Sequence, residues 1–375
     1  MSLIIAEIGT SHEGDEKKAF SLIDASVDSG ADAVKFQWVY ADEILHPLTG
    51  IVNLPGGQIS LYSRFRQLEC APEFYKKMCD YAHKRGVKFI CSPFGLRSLR
   101  ELLEINPDAV KIASPELNHF PMLNALAEYR MNLINQGKTL IPVILSSGVS
   151  KLSDIEKAVS ILGKDDVSLL HCITSYPAPE EEYNVSLDSS LKAIFGIETG
   201  VSDHSLDPVL VPSLSIMCGG SIIEKHITLS RETKGLDDPV ALEPEQFALM
   251  VHCVHQTEAV MNRYGVAEGR KAVINQLSES YGREKVLAVI GDGIKKLAHA
   301  EEANYGRTNR SLHYMRPIKA GEYVSANDVA VLRTEKILSP GISPEFLDDV
   351  VGSILVKDVE NGAGVQFLDF IKKSK

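Results

Sequence analysis

Short apolar, β-branched runs alternate through the first 265 residues with stretches in which apolar side chains recur every three or four positions. The runs fit strands buried on both faces and the longer stretches fit amphipathic helices, so the alternation predicts a parallel α/β sheet. Eight strand runs stand out, at Leu3–Ile8, Ala33–Gln37, Val87–Cys91, Ala109–Ile112, Ile141–Leu145, Val167–His171, Ile197–Ser202 and Ser221–His226. The spacing predicts helices over Glu16–Ser29, Pro72–Lys84, Ser153–Leu162 and Pro244–Arg263. Eight strand–helix units in roughly 250 residues fit an α/β fold of the (β/α)8 TIM-barrel class, whose active site lies at the C-terminal ends of the strands. A doubly wound open sheet is the alternative. Against it, the first strand–helix turn, Gly9-Thr10-Ser11-His12-Glu13-Gly14, lacks the GxGxxG dinucleotide spacing. Asn135-Gln136-Gly137-Lys138-Thr139 resembles the end of a P-loop, but Asn132 stands where the first glycine belongs, and the segment reads as a surface turn.

Beyond Val266 the pattern changes. Residues 266–308 mix Gly, Lys, Glu and Ala without a sustained period, apart from one helix around Glu284–Val289, and read as a linker. Short β-type runs then follow, broken by Lys319-Ala320-Gly321-Glu322, Ser339-Pro340-Gly341 and Glu360-Asn361-Gly362. The expected division is a barrel domain over 1–265, a linker over 266–308 and a small β-rich domain over 309–375.

With 44% hydrophobic residues in 375, the chain can fill a sizeable core. Its 39 basic and 50 acidic residues give a net charge of −11, which disfavours general affinity for nucleic acid or anionic lipid. An anionic substrate must therefore be met by local cations. Six cysteines without a CxxC pair fit reduced thiols in the cytoplasm, with no disulfide. The opening Met1–Gly9 carries Glu7 and no basic segment, so it reads as a buried strand rather than a signal peptide, and no run reaches the length of a membrane span.

Strand parity brings in the chemistry, because alternate side chains of a barrel strand face the interior. Lys35 and Gln37 share one face of the second strand while Val34 and Phe36 take the other. The same parity turns Glu7 and Lys111 inward and sets Ser92 and Phe94 at the end of the third strand. Burying such charges without partners costs several kcal/mol, so they form either structural ion pairs or an anion site. Ser92, Ser114, Ser146 and Ser202, each at a strand end, favour the site, since hydroxyls beside lysines bind phosphate oxygens. His204 and His226 end the last two strands. Two imidazoles there suit a divalent metal with positions left for water and a substrate carbonyl; a metal-free general base is the other reading. His252 and His255 lie on the Pro244–Arg263 helix without acidic or cysteine company and read as packing or surface residues.

Taken in order, these residues resemble the sialic acid (N-acetylneuraminate) synthase family, which includes legionaminic and pseudaminic acid synthases and spore coat polysaccharide relatives. The resemblance is carried by Ile5-Ala6-Glu7-Ile8-Gly9, Gly30 to Gln37, Ser92-Pro93-Phe94, Lys111-Ile112-Ala113-Ser114-Pro115-Glu116, Leu145-Ser146-Ser147-Gly148, His171-Cys172 through Tyr176-Pro177, Ser202-Asp203-His204 and Glu224-Lys225-His226. The tail is similar to the family's antifreeze-like (SAF, β-clip) domain through Arg310-Ser311-Leu312, Ile318 to Glu322 and Pro340 to Pro344. The resemblance implies metal-dependent condensation of phosphoenolpyruvate with an N-acyl amino-sugar aldehyde to a nonulosonic acid, with phosphate released by C–O cleavage. It implies that Ser92, Lys111, Ser114, Ser146, Tyr176 and Ser202 bind phosphoenolpyruvate, with Lys35 nearby and Glu7 as the acid/base residue. Gln37, Phe94, Glu116 and Asp237 would line the sugar side, and His204 and His226 would hold manganese or a similar ion. It further implies a cytoplasmic homodimer in which the small domain covers the partner's barrel mouth and delivers an arginine, matched here by Arg333.

The chain departs from the family pattern at Ser11-His12-Glu13-Gly14, where Asn-His-Asn-Gly is usual, and at Thr174, where some members have asparagine. Extra length lies at Met131–Gly137 and in Val266–Ile290. The acceptor, N-acetylmannosamine, a phosphorylated form or a 2,4-diacetamido-trideoxyhexose, depends on loop contacts, with Gly56, Gly57, Tyr62 and Arg64 of Leu54–Arg66 among the candidates. Two other readings stay open. A related synthase using a sugar phosphate calls for a further basic cluster that the sequence does not display. A non-catalytic sugar-binding protein on the same fold has against it the presence of Glu7, Lys111, His204 and His226.

Overall fold

The computed structural model describes residues 1–54, 57–233, 235–335 and 337–370. Among them, eight parallel strands close into a barrel: β1 (Leu3–Gly9), β2 (Ala33–Trp38), β5 (Lys88–Pro93), β6 (Ala109–Ile112), β7 (Val143–Ser146), β8 (Val167–Cys172), β9 (Glu198–Asp203) and β10 (Ile222–His226). Between β2 and β5 lies a hairpin of β3 (Ile51–Leu54) and β4 (Gly57–Ser60), followed by a helix over Leu61–Gln67. β1 pairs with β10, placing Ile5 opposite Glu224, and that ladder closes the ring. The expected strands recur within two residues at every end. Pro142 has no N–H to give a ladder, and the strand expected from Ile141 starts at Val143.

The barrel interior is layered. Ile5, Ala33, Ile90, Ala109, Ile144, Leu170 and Ile222 form an apolar plug. Two residues further along their strands, the same parity presents Glu7, Lys35, Ser92, Lys111, Ser146, Cys172 and Glu224 to the interior above the plug. Residues of opposite parity pack under the helices. Trp38 stacks on Tyr75 with ring centroids 4.0 Å apart, and Phe36 lies against Phe89. At 1.5–3 kcal/mol per buried large apolar side chain, roughly, this outer core dominates barrel stability.

The stretch expected to be an irregular linker is largely helical. One helix runs Pro244–Tyr281 with a break at Gly265 (φ 72°, ψ 177°), and another covers Arg283–Ile290. Beyond Gly265 the first buries only Gly269, Val273 and Leu277, while Val266 is exposed. A stripe one side chain wide leaves almost no apolar period to read. Residues 291–298 are irregular and lead into turns over His299–Asn304.

The small unit is built on β11 (Arg310–Tyr314) and β12 (Val329–Arg333), an antiparallel pair, with bridges at His313–Gly364, Ile318–Val359 and Tyr323–Ile354. Leu312, Tyr314, Ile318, Val324, Val350, Leu355 and Val365 are among its core residues. It rests on the C-terminal rim of the barrel of its own chain, where Arg333 bridges Leu45 and His46 Nε2 lies 3.0 Å from Asn361 Oδ1.

Gly200 marks the tightest approach in the barrel wall, since a Cβ there would stand 1.9 Å from the carbonyl oxygen of Ile222. Gly200→Ala is therefore expected to cost about 3 kcal/mol or more in urea denaturation. Gly219→Ala, at φ 97° but with open space around it, is expected to cost only about 1–2 kcal/mol.

Candidate active site

Four charged side chains meet in the polar layer above the apolar plug. Lys111 Nζ lies 2.8 and 2.9 Å from the two oxygens of Glu224. Lys35 Nζ is 2.9 Å from Glu7 Oε2 and 3.5 Å from Glu224 Oε1, so it bridges the two carboxylates. Gln37 donates to Glu7 Oε1 at 2.8 Å and Ser202 to Glu224 Oε1 at 2.9 Å. All four charged groups are at most 4% exposed. Two cations and two anions cancel, which is how the barrel tolerates them.

The electrostatics follow from this pairing. Burial works to raise the Glu224 pKa, but Lys111 and Lys35 hold it down at about 2. Burial likewise opposes the Lys35 ammonium, yet Glu224 and Glu7 push its pKa up to about 12. For Lys111 burial wins over Glu224, and its pKa lies below the ordinary lysine value.

The cavity among these groups has a volume of about 50 Å³ and is lined also by Ser114, Ser146, Cys172, Thr174, Tyr176, His204 and His226. The hydroxyls of Ser146 and Thr174 are buried and find no hydrogen-bond partner among the described residues. Ser114 Oγ accepts the Gly148 N–H at 3.0 Å. Ser92 lies behind Lys35, 3.5 Å from its Nζ. Asp237 joins the Glu7 corner at Gly9: Gln37 Nε2, Glu7 Oε1 and Asp237 Oδ2 lie 3.3, 3.4 and 3.5 Å from where a Cβ of Gly9 would be. Burial and the Glu7 charge push the Asp237 carboxyl up to about 6.

His204 and His226 face one another with ring centroids 5.5 Å apart, and Tyr176 stacks on His204 at 4.3 Å. His204 Nδ1 lies 2.8 Å from the Ile173 carbonyl, which only accepts, so Nδ1 carries the proton and Nε2 keeps its lone pair. Burial lowers both imidazole pKa values, well below the ordinary value for His226, and keeps the rings neutral. Neutral rings, one with its tautomer fixed by a backbone carbonyl, fit a metal site of two protein nitrogens. Among the described residues no group of three or more His, Cys, Asp and Glu is arranged to hold a metal. Burial pushes the Cys172 thiol up to about 11, so the sulfur beside His204 is a neutral thiol.

A second cluster sits where the small domain meets the rim. Glu116 is fully buried, and both Arg310 and Arg333 donate to it, Arg310 at 2.7–3.0 Å and Arg333 at 2.8–3.0 Å. Arg310 also donates to the carbonyls of Glu43, Phe94 and Val331. The Arg333 guanidinium lies 5.3 Å from the Phe94 ring centroid. Glu116 and Phe94, expected on the sugar side, thus stand under Arg333, and the contact is made within one chain.

Ten of the fifteen expected residues line the central cavity: Glu7, Lys35, Gln37, Lys111, Ser114, Ser146, Tyr176, Ser202, His204 and His226. Phe94, Glu116 and Arg333 form the rim cluster, while Ser92 and Asp237 border the cavity. Sequence reasoning assigns no role to Glu224, Thr174 or Arg310, which the structure adds to the two clusters. Parity could have found Glu224, which shares a face with Ile222 and His226. In the Leu54–Arg66 segment, Arg64 grips Glu13 through two contacts of 2.7 Å and Tyr62 packs near Phe94; Gly56 lies outside the described residues.

The model of the NeuB family matches residues 22–265, and that of the SAF domain matches residues 309–371. The chain is 31% identical to the spore coat polysaccharide biosynthesis protein SpsE of Bacillus subtilis, across 99% of this chain and 94% of that one. It is 30% identical to N,N'-diacetyllegionaminic acid synthase of Campylobacter jejuni, across 95% and 96%. The crystal structure of Bacillus subtilis SpsE superposes with a TM-score of 0.79 at 29% identity, covering 100% of this chain and 96% of that one.

Glu224→Gln leaves two buried ammoniums short of an anion and is expected to cost about 3–5 kcal/mol at pH 7. Because the fold lowers this carboxyl from 4.5 to about 2, its stabilisation is complete above pH 4.5 and lost as the pH falls towards 2. Urea denaturation across that window should show a shallower acid limb in the variant.

Proposed function

The chain belongs to the NeuB family, and on that premise we propose that it joins phosphoenolpyruvate to an N-acyl amino-sugar aldehyde, giving a nonulosonic, sialic-acid-type acid and inorganic phosphate. The observation that carries this reading is the central cavity, where two buried lysines and unpartnered hydroxyls adjoin Glu7 and two neutral imidazoles. Few substrates call for so many cationic and donor groups beside a carboxylate base.

The lysines that line the cavity are already paired with Glu7 and Glu224, so phosphoenolpyruvate enters by exchanging partners. Its phosphate and carboxylate replace part of the Glu224 and Glu7 contacts on Lys111 and Lys35, and Ser114, Ser146, Ser202 and Thr174 offer hydroxyls. Lysines held protonated by a multiply charged anion are unsuited to forming a Schiff base with the sugar. His204, through Nε2, and His226 would hold a divalent ion, manganese by expectation, which when bound supplies Lewis-acid polarisation of the aldehyde oxygen. C3 of phosphoenolpyruvate bonds to the aldehyde carbon, the aldehyde oxygen gains a proton, and C2 becomes cationic. Glu7 faces C2 as the carboxylate that stabilises this charge and takes the proton of the water that adds there. Cleavage of the C2–O bond then expels phosphate and leaves the 2-keto acid.

Gln37, Asp237 and Arg333 form the sugar side, with Phe94 and Glu116 holding Arg333. Substrate is N-acetylmannosamine or a diacetamido-trideoxyhexose. The working form is a cytoplasmic homodimer in which small domains are exchanged, so that the Arg333–Glu116 contact is made between chains with the 266–308 segment as the connection. Sequence similarity to the synthase relatives across both domains supports the chemistry.

Phosphate release from phosphoenolpyruvate, measured with manganese and a panel of amino-sugar acceptors, tests the reading. Acceptor-dependent release is expected, lowered by about 10²-fold or more in both His204→Ala and Glu7→Ala. Release that persists in Glu7→Ala, or that is absent with every acceptor, would overturn it. Arg333→Ala is expected to raise KM for the sugar by about tenfold while leaving KM for phosphoenolpyruvate within about twofold.

A further inference from the structure

Val149 is a β-branched residue in the left-handed region, at φ 43°, in the loop that follows β7. A β-branched side chain avoids this conformation, which survives only where surrounding contacts determine it. Those contacts come from the segment leading into the small domain. Glu301 Oε2 accepts the Val149 N–H at 3.1 Å, Asn309 donates to the Val149 carbonyl at 3.0 Å, and Lys295 donates to the Ser147 carbonyl at 3.1 Å. The same Glu301 oxygen accepts the Thr174 N–H, in the loop after β8, at 2.8 Å. Glu301 is 1% exposed, and Val149 is fully buried.

The two loops joined in this way carry one wall of the cavity. Ser146 precedes the first, Gly148 within it donates to Ser114, and Thr174 and Tyr176 belong to the second. We propose that Glu301 is a positioning residue: one carboxylate oxygen ties the loops after β7 and β8 together, holds Val149 in its strained conformation, and so presents Ser114, Ser146 and Thr174 to an incoming anion. Affinity for that anion then depends on the connecting segment being seated, although no residue of the segment lines the cavity. The identity of the anion as phosphoenolpyruvate rests on the function proposed above; the loop tie does not.

Two measurements separate the two. Hydrogen exchange of the substrate-free protein reads the tie directly. Glu301→Ala should speed exchange of amides in 147–150 and 173–175 by about tenfold or more, while Glu301→Gln, whose amide oxygen can still accept both N–H groups, should leave them within about threefold. Steady-state kinetics read the consequence. KM for phosphoenolpyruvate should rise by about tenfold in Glu301→Ala, with kcat and KM for the sugar within about twofold and recovery in Glu301→Gln. Should Glu301→Ala not fold, Glu301→Asp, which keeps the charge but shortens the reach by one methylene, should show the same exchange and KM changes at smaller size. Unchanged exchange in both loops would overturn the inference whatever the activity, and so would a uniform loss of kcat and of both affinities alongside a lower Tm. If the wild type releases no phosphate at all, the functional reading fails and the exchange data still decide the tie.

Discussion

Glu224 lies between Lys111 and Lys35 in the barrel interior, where an ammonium without a counter-charge would lose several kcal/mol of hydration. The arrangement can exist only if its charges sum to zero and every one of them is near an opposite. That requirement fixes which strands contribute. Glu224 on β10 reaches across the barrel to Lys111 on β6, and Lys35 on β2 closes the set with Glu7 on the adjacent β1. The apolar plug beneath them keeps water from entering through the floor, so the only exchange of partners open to these lysines is with something entering from the rim.

How much of this was legible in the sequence follows from which signals have a period. Strand parity is local and strict, and it placed Glu7, Lys35 and Lys111 on the interior face without any knowledge of their partners. The partners themselves are pairings between residues 113 positions apart, as with Lys111 and Glu224, and no local pattern encodes them. The resemblance to a known family covered the cavity-lining residues but left Glu224 in a quoted motif without a task. The helix beyond Gly265 escaped for the opposite reason. Its apolar face is so narrow that its period is lost among lysines and glutamates, and only docking against the barrel reveals it. Thr174 and Glu13, departures from the family pattern, gained meaning only with coordinates: an unpartnered hydroxyl facing the cavity, and a carboxylate gripping Arg64.

The rim cluster is balanced differently from the central one. One buried carboxylate, Glu116, meets two guanidiniums from the small domain, so the pair carries a surplus positive charge. Arg310 spends its donors on backbone carbonyls of Glu43, Phe94 and Val331 and has no freedom to move. Arg333 is different: 12% of its side chain is exposed, it rests on the face of Phe94, and among the described residues its guanidinium donates to Glu116 alone. A guanidinium with a fixed neighbour on one side and an aromatic surface below is preorganised yet able to share its donors with a polar ligand at the mouth.

Lysines already paired in the resting barrel alter what substrate binding requires. A site that presented bare ammoniums would lower their pKa values by burial and weaken its own grip on an anion. Here carboxylates keep Lys35 charged until the ligand arrives, and the ligand competes with groups the protein has placed. The net gain is the difference between two sets of ion pairs, so affinity depends on whether the ligand brings more acceptor oxygens than Glu7 and Glu224 give up. A phosphate and a carboxylate on one small molecule do, and on the function proposed above the hydroxyls of Ser146 and Thr174, unpartnered among the described residues, offer donors to the additional oxygens. A lone carboxylate, with two oxygens, offers fewer than the four of Glu7 and Glu224. On the function proposed above, selectivity for a ligand that carries both a phosphate and a carboxylate follows from the cost of the pairs it must break.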